Sequence, residues 1–140
     1  MRIEKTDWYF DLCKAVSKRS TCIRKQVGAI IVKDGRILTT GYNGSPSGED
    51  HCIDIGYCQR PKEEWDGVNY VNCKSIHAEQ NAILQAAKFG IMIKGASLYC
   101  TIEPCNMCKK LIKGSGLRGY YYIDSKGETK EKMYAYNIME

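Results

Sequence analysis

The chain has 140 residues, 44% of them hydrophobic and 26% charged, which is ordinary for one globular domain and predicts a single domain over residues 1–140. The formal charge of +5 favours an anionic partner, but the chain lacks the dense Lys/Arg run typical of nucleic-acid binding, so a small phosphorylated substrate fits at least as well. No stretch resembles a signal peptide or a membrane span, so we expect a cytoplasmic protein whose thiols stay reduced.

The first half of the chain predicts a helix followed by a hairpin. Apolar residues recur at helical spacing over residues 3–18. Two apolar runs then flank Asp34 and Gly35, and Asp-Gly is a typical hairpin turn. Residues 41–50 are rich in Gly, Ser and Pro and predict a loop.

Residues 49–75 show no clear hydrophobic period, although they contain three cysteines and a histidine. A structureless segment of this length is unusual in a compact domain. We therefore expect something other than apolar burial to hold this cysteine-rich insert.

The second half predicts alternating helices and strands. Residues 75–90 predict a helix with Ser75 as its N-cap and Gly90 as its stop. Residues 96–102 predict a buried strand, residues 104–116 a short helix opened by Pro104, and residues 117–123 another strand. Residues 133–139 predict an edge strand or a short helix. The order α-β-β-α-β-α-β predicts a three-layer α/β domain.

Two cysteines follow Pro104 at a spacing of three, Cys105 and Cys108. Such a pair suits a redox couple, half of a structural zinc site or part of a catalytic one. A redox couple normally has an aromatic residue or Gly-Pro between its cysteines, whereas Asn-Met stands here. Metal binding is therefore the favoured interpretation.

The remaining metal ligand is predicted to be His77, at the start of the preceding helix. Two helix N-termini side by side on a sheet would bring His77, Cys105 and Cys108 to one point. Three protein ligands leave the fourth position of tetrahedral zinc open, which is typical of a catalytic site. Glu79, two residues after His77, completes an H-x-E…P-C-x-x-C pattern characteristic of zinc-dependent nucleobase deaminases.

The resemblance extends beyond the zinc motifs. The stretches "STCIRKQVGAIIV", "GYNGSPSG", "HAEQNAI" and "PCNMC" resemble the deoxycytidylate (dCMP) deaminase family in order and spacing, over residues 20 to about 123. The resemblance implies a cytidine-deaminase-like α/β/α fold with a mixed five-stranded sheet. It also implies hydrolysis of dCMP to dUMP, which feeds thymidylate synthesis, by a hexamer that dCTP (with Mg²⁺) activates and dTTP inhibits.

Residue roles follow from the chemistry and the resemblance. Glu79 is predicted to take a proton from water and to deliver it to the pyrimidine N3 and then to the departing amine. The predicted substrate contacts are Asn43 (to the deoxyribose), Ala78, and Arg24 and Lys25 (to the phosphate). The alternative is that Arg24 and Lys25 are only solvated surface residues and that Asn43 with the following glycine only forms a turn. The effector is expected at Gly41, Tyr42, Gly44 and Ser45.

A second, structural zinc is implied by similar cysteines in the bacterial branch of the family. Its expected ligands are Cys22, Cys52, Cys58 and Cys73, with His51 as a possible substitute. A closed four-ligand site would hold the aperiodic insert.

Two rival functions are open. Glu103, before Pro104, resembles tRNA adenosine, guanine and cytosine deaminases, whereas many deoxycytidylate deaminases lack a glutamate there. The non-enzymatic rival is a zinc-stapled nucleic-acid-binding module, which would have closed metal coordination and no role for Glu79.

Overall fold

The computed structural model describes residues 1–64 and 72–139. Residues 65–71 of the predicted insert lie outside the described residues. The elements, in chain order, are α1 (Lys5–Ser17), β1 (Gly28–Lys33), β2 (Arg36–Tyr42), α2 (Cys52–Ile55), a 3₁₀ turn (Lys62–Glu64), α3 (Ala78–Phe89), β3 (Ser97–Cys100), α4 (Asn106–Gly114), β4 (Gly119–Ile123), β5 (Thr129–Met133) and α5 (Ala135–Met139). None of the helices in this described part is long and apolar enough to cross a membrane.

Five strands form one mixed sheet in the order β2-β1-β3-β4-β5. β3 and β4 are parallel and the other neighbours are antiparallel. The parallel pair arises because α4 connects β3 to β4 as a crossover helix. The predicted mixed five-stranded sheet is confirmed.

The first two strands form the predicted hairpin. Lys33 pairs with Arg36, and Asp34 and Gly35 between them have φ angles of 52° and 75°. Positive φ at both central positions is the type I′ pattern, which Asp-Gly adopts at little cost and which matches the twist of the strands.

Helices cover both faces of the sheet. On β1, Ala29 and Ile31 belong to a core cluster shared with α3 and α4, whereas Ile30 and Val32 belong to a second cluster shared with α1. This alternation places one apolar set on each face because strand side chains point to opposite sides. The predicted three-layer α/β arrangement is confirmed.

Several boundaries differ from the predictions. α3 begins at Ala78 with His77 as its N-cap, so the assignment of Ser75 as N-cap is wrong. Cys105 is the N-cap of α4, and Pro104 lies one residue before it rather than at the first helical position. The insert, predicted to be aperiodic, contains α2 and the 3₁₀ turn. β5 was not predicted. Of the two alternatives for the C-terminal segment, the structure shows the short helix, α5.

α3 packs closely on β2 at Gly41. A Cβ at this position would overlap the backbone carbonyl oxygen of Ala78 and the backbone nitrogen of Ala82. Because both obstacles are backbone atoms, only a shift of the helix could relieve the overlap. Gly41 is therefore needed for the position of α3, and with it of His77 and Glu79.

We predict that Gly41→Ala lowers the free energy of unfolding by about 1–3 kcal/mol, the usual cost of overpacking. The control is Gly114→Ala at the end of α4, where a Cβ would meet nothing within 4 Å. Urea denaturation midpoints measure both effects. A Gly41→Ala midpoint equal to that of the wild type would contradict the close approach.

Aromatic rings fill the layer between α1 and the sheet. Tyr99 stacks on Tyr121 with centroids 4.5 Å apart and planes 5° apart, and it contacts Tyr9 at 4.8 Å. Burial, followed by the neighbouring Tyr121, raises the pKa of Tyr99. A tyrosine hydroxyl in the unfolded chain ionises at about pH 10, whereas that of Tyr99 in the folded chain is still neutral there. The free energy of unfolding should therefore decrease as pH rises above that value.

Tyr99→Phe should therefore lose less stability than the wild type between pH 8 and about pH 11. The measurement is the urea midpoint across this range, with Tyr57→Phe, whose side chain is 63% exposed, as control. If the urea midpoints of the wild type and Tyr99→Phe fell in parallel with rising pH, ionisation of Tyr99 would not be the cause of the decrease.

Candidate active site

The N-terminus of α3 is fixed by backbone contacts. Gly44 and Ile76 exchange two backbone hydrogen bonds (Gly44 N to Ile76 O, 3.1 Å; Ile76 N to Gly44 O, 2.8 Å). The next residue, His77, donates its backbone N–H to Gln80 Oε1 at 2.9 Å. The loop after β2 thus sets where His77 enters the helix.

The N-terminus of α4 lies beside that of α3. Cys105 is the N-cap of α4, and Cys108 is fully buried one turn later. α3 and α4 contact each other on one face of the sheet. The chain therefore presents an imidazole and two thiols at adjacent helix starts.

These three side chains lie at ligand spacing. His77 Nδ1 is 3.2 Å from Cys108 Sγ and 3.5 Å from Cys105 Sγ, and all three donor atoms lie within 4.8 Å of one another. Tetrahedral zinc with ordinary Zn–S and Zn–N bonds would separate sulfur and nitrogen by about 3.6 Å. Within the described ranges this is the one group of three such donors that meets the spacing, and it fits zinc.

Glu79 lies beside Cys108 of the donor group and is only 4% exposed. Burial raises the pKa of its carboxyl, while its own backbone and the thiols of Cys108 and Cys100 oppose the rise. Burial and then the charge of Glu79 likewise raise the pKa of Cys108. Acidic groups packed this tightly ionise together only beside a cation, which again fits a divalent metal.

The donor group opens into a cavity of about 270 Å³. Its described lining includes Glu79, His77, Cys105 and four basic residues, Arg24, Lys25, Arg60 and Lys74. Arg24, Lys25 and Lys74 are exposed, whereas Arg60 is buried. Burial, followed by the charges of Lys25 and Arg60, lowers the pKa of His77, which favours the neutral imidazole that a metal requires.

Asn43 lines this cavity, but its amide mainly organises the protein. Its side-chain oxygen accepts hydrogen bonds from the Ser20 hydroxyl at 2.6 Å and the Val27 N–H at 2.9 Å. Its Nδ2 donates to the Lys25 carbonyl at 2.9 Å. Asn43 thus holds the loop that carries Arg24 and Lys25, and its contact with a sugar stays a prediction.

The predicted effector residues lie at a different place. A second cleft, about 800 Å³, is lined by Gly41, Tyr42, Gly44 and Ser45. Lys18, Arg19 and Lys88 add positive charge to its lining, and Phe89 adds an exposed ring. Gly41 and Gly44 are buried, so Tyr42 and Ser45 offer the accessible side chains.

The predicted ligands of a second zinc do not lie as close together as the donor atoms of His77, Cys105 and Cys108. All four of them, Cys22, Cys52, Cys58 and Cys73, line the active-site cavity. The charges of Cys22 and Cys58 act on Cys73, whose pKa burial raises. Within residues 1–64 and 72–139, however, no three of these thiols come within 4.8 Å of one another, and the second zinc stays a prediction. His51 lines the second cleft.

One cavity residue was missed from the sequence, and Glu103, which was noted there, also lines the cavity. Arg60 was overlooked because it stands in the aperiodic insert, where neither periodicity nor a motif distinguishes it. Glu103 is exposed, and its Oε2 accepts from Lys109 Nζ at 2.8 Å at the cavity rim. An exposed ion pair of this kind contributes little to stability.

Comparison with known proteins agrees with this geometry. Residues 3–123 match the family model described as "Cytidine and deoxycytidylate deaminase zinc-binding region". The chain is 37% identical over 139 residues to ComE operon protein 2 of Bacillus subtilis, covering 99% of this chain and 68% of that protein. It is 34% identical to deoxycytidylate deaminase of Enterobacteria phage T4, covering 90% and 81% of the two chains.

A solved structure extends the comparison. The dCMP deaminase of cyanophage S-TIM5, in complex with dCMP and dUMP, superposes with a TM-score of 0.70 at 35% identity, covering 89% of this chain and 84% of that one. The match to the family model covers most of the chain, including both stretches that supply the donor group. This chain therefore belongs to the cytidine and deoxycytidylate deaminase family.

Proposed function

We propose that the chain is a single-domain, zinc-dependent enzyme that hydrolyses dCMP to dUMP and ammonia, supplying dUMP for thymidylate synthesis. The observation that carries this proposal is the His77, Cys105 and Cys108 group beside a buried Glu79 at a cavity with a basic lining. Relatives named deoxycytidylate deaminase and a neighbour solved with dCMP and dUMP support the choice of substrate.

In this proposal, the three donors would hold zinc, which would acidify a water molecule enough to make it a nucleophile near neutral pH. Glu79 moves the protons. Glu79, buried and held beside Cys108, accepts the proton from that water. It then delivers this proton to N3 of the pyrimidine. Once the hydroxyl group has added to C4, Glu79 takes the remaining proton of that hydroxyl and delivers it to the departing amine, which leaves as ammonia while the C4 carbonyl forms.

Other cavity residues orient the nucleotide. Ala78 lies in the first turn of α3, where a backbone N–H has no acceptor within the helix and can bind the base. Asn43 is assigned to the deoxyribose, and Arg24 and Lys25 to the phosphate. The Asn43 hydrogen bonds to the Lys25 loop would couple recognition of the sugar to the position of these basic residues.

The test is ammonia release from dCMP, deoxycytidine, CMP, cytosine, guanine and a tRNA anticodon hairpin. If the proposal is right, dCMP should exceed deoxycytidine by at least about two orders of magnitude in kcat/KM, because charge-assisted contacts to phosphate are strong. Turnover of guanine or the hairpin in place of dCMP would instead support the rival deaminases that Glu103 resembles. Salt-dependent binding of random DNA without any turnover would favour a nucleic-acid-binding module.

We also propose that the second cleft binds a nucleoside triphosphate with Mg²⁺ in a hexamer, with dCTP activating and dTTP inhibiting. Lys18, Arg19 and Lys88 offer charge for the phosphates, and Tyr42 or Phe89 offers a ring for the base. Activity at subsaturating dCMP, measured with and without each triphosphate, tests the regulation. Sedimentation under the same conditions tests the assembly.

A structural zinc in the insert is part of the proposal. This proposal is supported by the place of Cys22, Cys58 and Cys73 in the lining of one cavity, where the charges of Cys22 and Cys58 act on Cys73. Metal analysis of the purified chain should give about two zinc ions per subunit. One zinc per subunit would leave only the site at His77, Cys105 and Cys108.

A further inference from the structure

An ion pair spans one of the proposed zinc ligands. Glu103 lies two residues before Cys105 and Lys109 lies four residues after it, and Glu103 Oε2 is 2.8 Å from Lys109 Nζ. The pair therefore closes the chain into a ring over residues 103–109, which contains both cysteines of the donor group. Glu103 has no part in the proposed reaction.

The backbone of Lys109 belongs to the same arrangement. Its N–H donates to the Cys105 carbonyl oxygen at 2.9 Å, and its carbonyl oxygen accepts from the Tyr134 hydroxyl at 3.5 Å. The Tyr134 ring packs against the core cluster that the sheet shares with α3 and α4. Lys109 thus connects the start of α4 to a residue that the core holds in place.

Of the two thiols, that of Cys105 depends more on this loop. Cys108 is fully buried, whereas Cys105 is half-buried. Cys105 is the N-cap of α4, but within the described part of the chain its side chain makes no hydrogen bond that caps the helix. Its Sγ is 3.5 Å from His77 Nδ1, compared with 3.2 Å for Cys108 Sγ. The path of residues 103–105 therefore decides where this sulfur lies.

The pair suits a positioning role better than a stabilising one. The side chains of Glu103 and Lys109 are 53% and 31% exposed, so solvent screens their attraction and the pair adds little to the free energy of folding. Metal affinity is more sensitive, because outer contacts that orient a ligand commonly change it by about 10- to 100-fold. For an exposed pair we expect an effect below that range.

We propose that the ion pair of Glu103 with Lys109 is a clamp that positions Cys105 for zinc. This inference rests on the zinc site of the proposed function and adds two positioning residues to it. The glutamate before Pro104 then helps to hold the metal and does not select the base.

The experiment is a zinc titration of the metal-free chain against a competing chelator, which needs no turnover. The binding phase that Cys108→Ser removes belongs to the donor group. Glu103→Gln and Lys109→Gln should each weaken zinc binding in that phase about fivefold, because either change breaks the same ion pair. The charge swap, Glu103→Lys with Lys109→Glu, should restore the affinity to within about twofold of the wild type.

The signs of the two single effects separate a clamp from simple attraction between charges. If Glu103 acted on zinc only through its charge, Glu103→Gln would weaken zinc binding, whereas Lys109→Gln, which removes a positive charge, would strengthen it. A clamp predicts losses of the same size for both variants. Opposite effects, or a charge swap that binds zinc no better than Glu103→Gln, would overturn the inference.

Glu128→Gln and Lys130→Gln are the matched controls. They break the exposed ion pair of Glu128 with Lys130, whose charged atoms are 3.4 Å apart at the start of β5, and they should leave zinc affinity unchanged. The kinetics of zinc-saturated Glu103→Gln give a second readout, since its KM for dCMP should equal that of the wild type. A changed KM with wild-type zinc affinity would place Glu103 against the substrate and contradict the clamp.

Zinc binding and turnover can fail separately. If the wild type binds zinc without deaminating dCMP, and both single variants lose affinity equally, the proposed function fails and the clamp stands. If the wild type deaminates dCMP and both variants keep its zinc affinity, the clamp fails and the proposed function stands. A wild type that lacks the zinc phase assigned by Cys108→Ser would contradict both.

Discussion

Glu79→Gln should retain its zinc and lose about three to four orders of magnitude in kcat, the upper range for general acid–base catalysis. The amide has nearly the same shape as the carboxyl, so the buried site behind Cys108 and Cys100 stays filled. It cannot accept and return a proton, however, and both proton transfers are lost together. Steady-state kinetics with dCMP, together with zinc analysis of the same preparation, measures the effect.

Glu128→Gln is the matched control for this prediction. Glu128 is exposed, and its only described ion pair is with Lys130, remote from the donor group. The same chemical change there should leave kcat unaltered. If Glu79→Gln retained more than about a tenth of the wild-type kcat, Glu79 would have no essential role in proton transfer.

Cys108→Ser should remove one zinc ion per chain and reduce dCMP turnover to background. Cys108 is fully buried, and its sulfur is 3.2 Å from His77 Nδ1, so its loss takes away one of the three proposed zinc ligands. Serine is a poor zinc ligand at neutral pH because its hydroxyl does not ionise. Since metal binding also stabilises the folded chain, the melting temperature should fall as well.

Cys13→Ser serves as control for the loss of a buried thiol. Cys13 lies on the opposite face of the sheet, where its thiol donates to the Tyr99 carbonyl oxygen at 3.3 Å, a bond that a serine hydroxyl can also make. We expect this variant to keep the wild-type zinc content and activity. Chelation should lower the melting temperature of the wild type and of Cys13→Ser more than that of Cys108→Ser, because that variant has already lost one of its two zinc ions. A Cys108→Ser protein with full zinc content would rule out the proposed donor set.

Local signals explain why much of the fold was predictable. The Asp34-Gly35 turn has one favourable conformation between two apolar runs, and the structure adopts it. Gly90, with φ of 66°, ends α3 as predicted. His77, Cys105 and Cys108 could be grouped from the sequence because both motifs fall at helix starts and adjacent helices on one sheet face bring those starts together.

Other features depend on contacts that sequence periodicity does not show. β5 consists of polar, mostly exposed residues on an edge strand, so it lacks the alternation that marks a half-buried strand. α3 begins two residues later than Ser75 would place it, because Gly44 and Ile76 pair as a β-bridge first. Arg60 lines the cavity although no local sequence pattern distinguishes it.

The most direct test of the proposed function is to incubate the zinc-loaded chain with dCMP in water enriched in oxygen-18 and to analyse the product by mass spectrometry. Hydrolytic deamination replaces the exocyclic amine with an oxygen from water. The expected product is therefore dUMP carrying one heavy oxygen at C4, with one ammonia released for each dUMP formed. Failure of the fully zinc-loaded chain to form dUMP, or dUMP formed without the heavy oxygen, would contradict the proposed reaction.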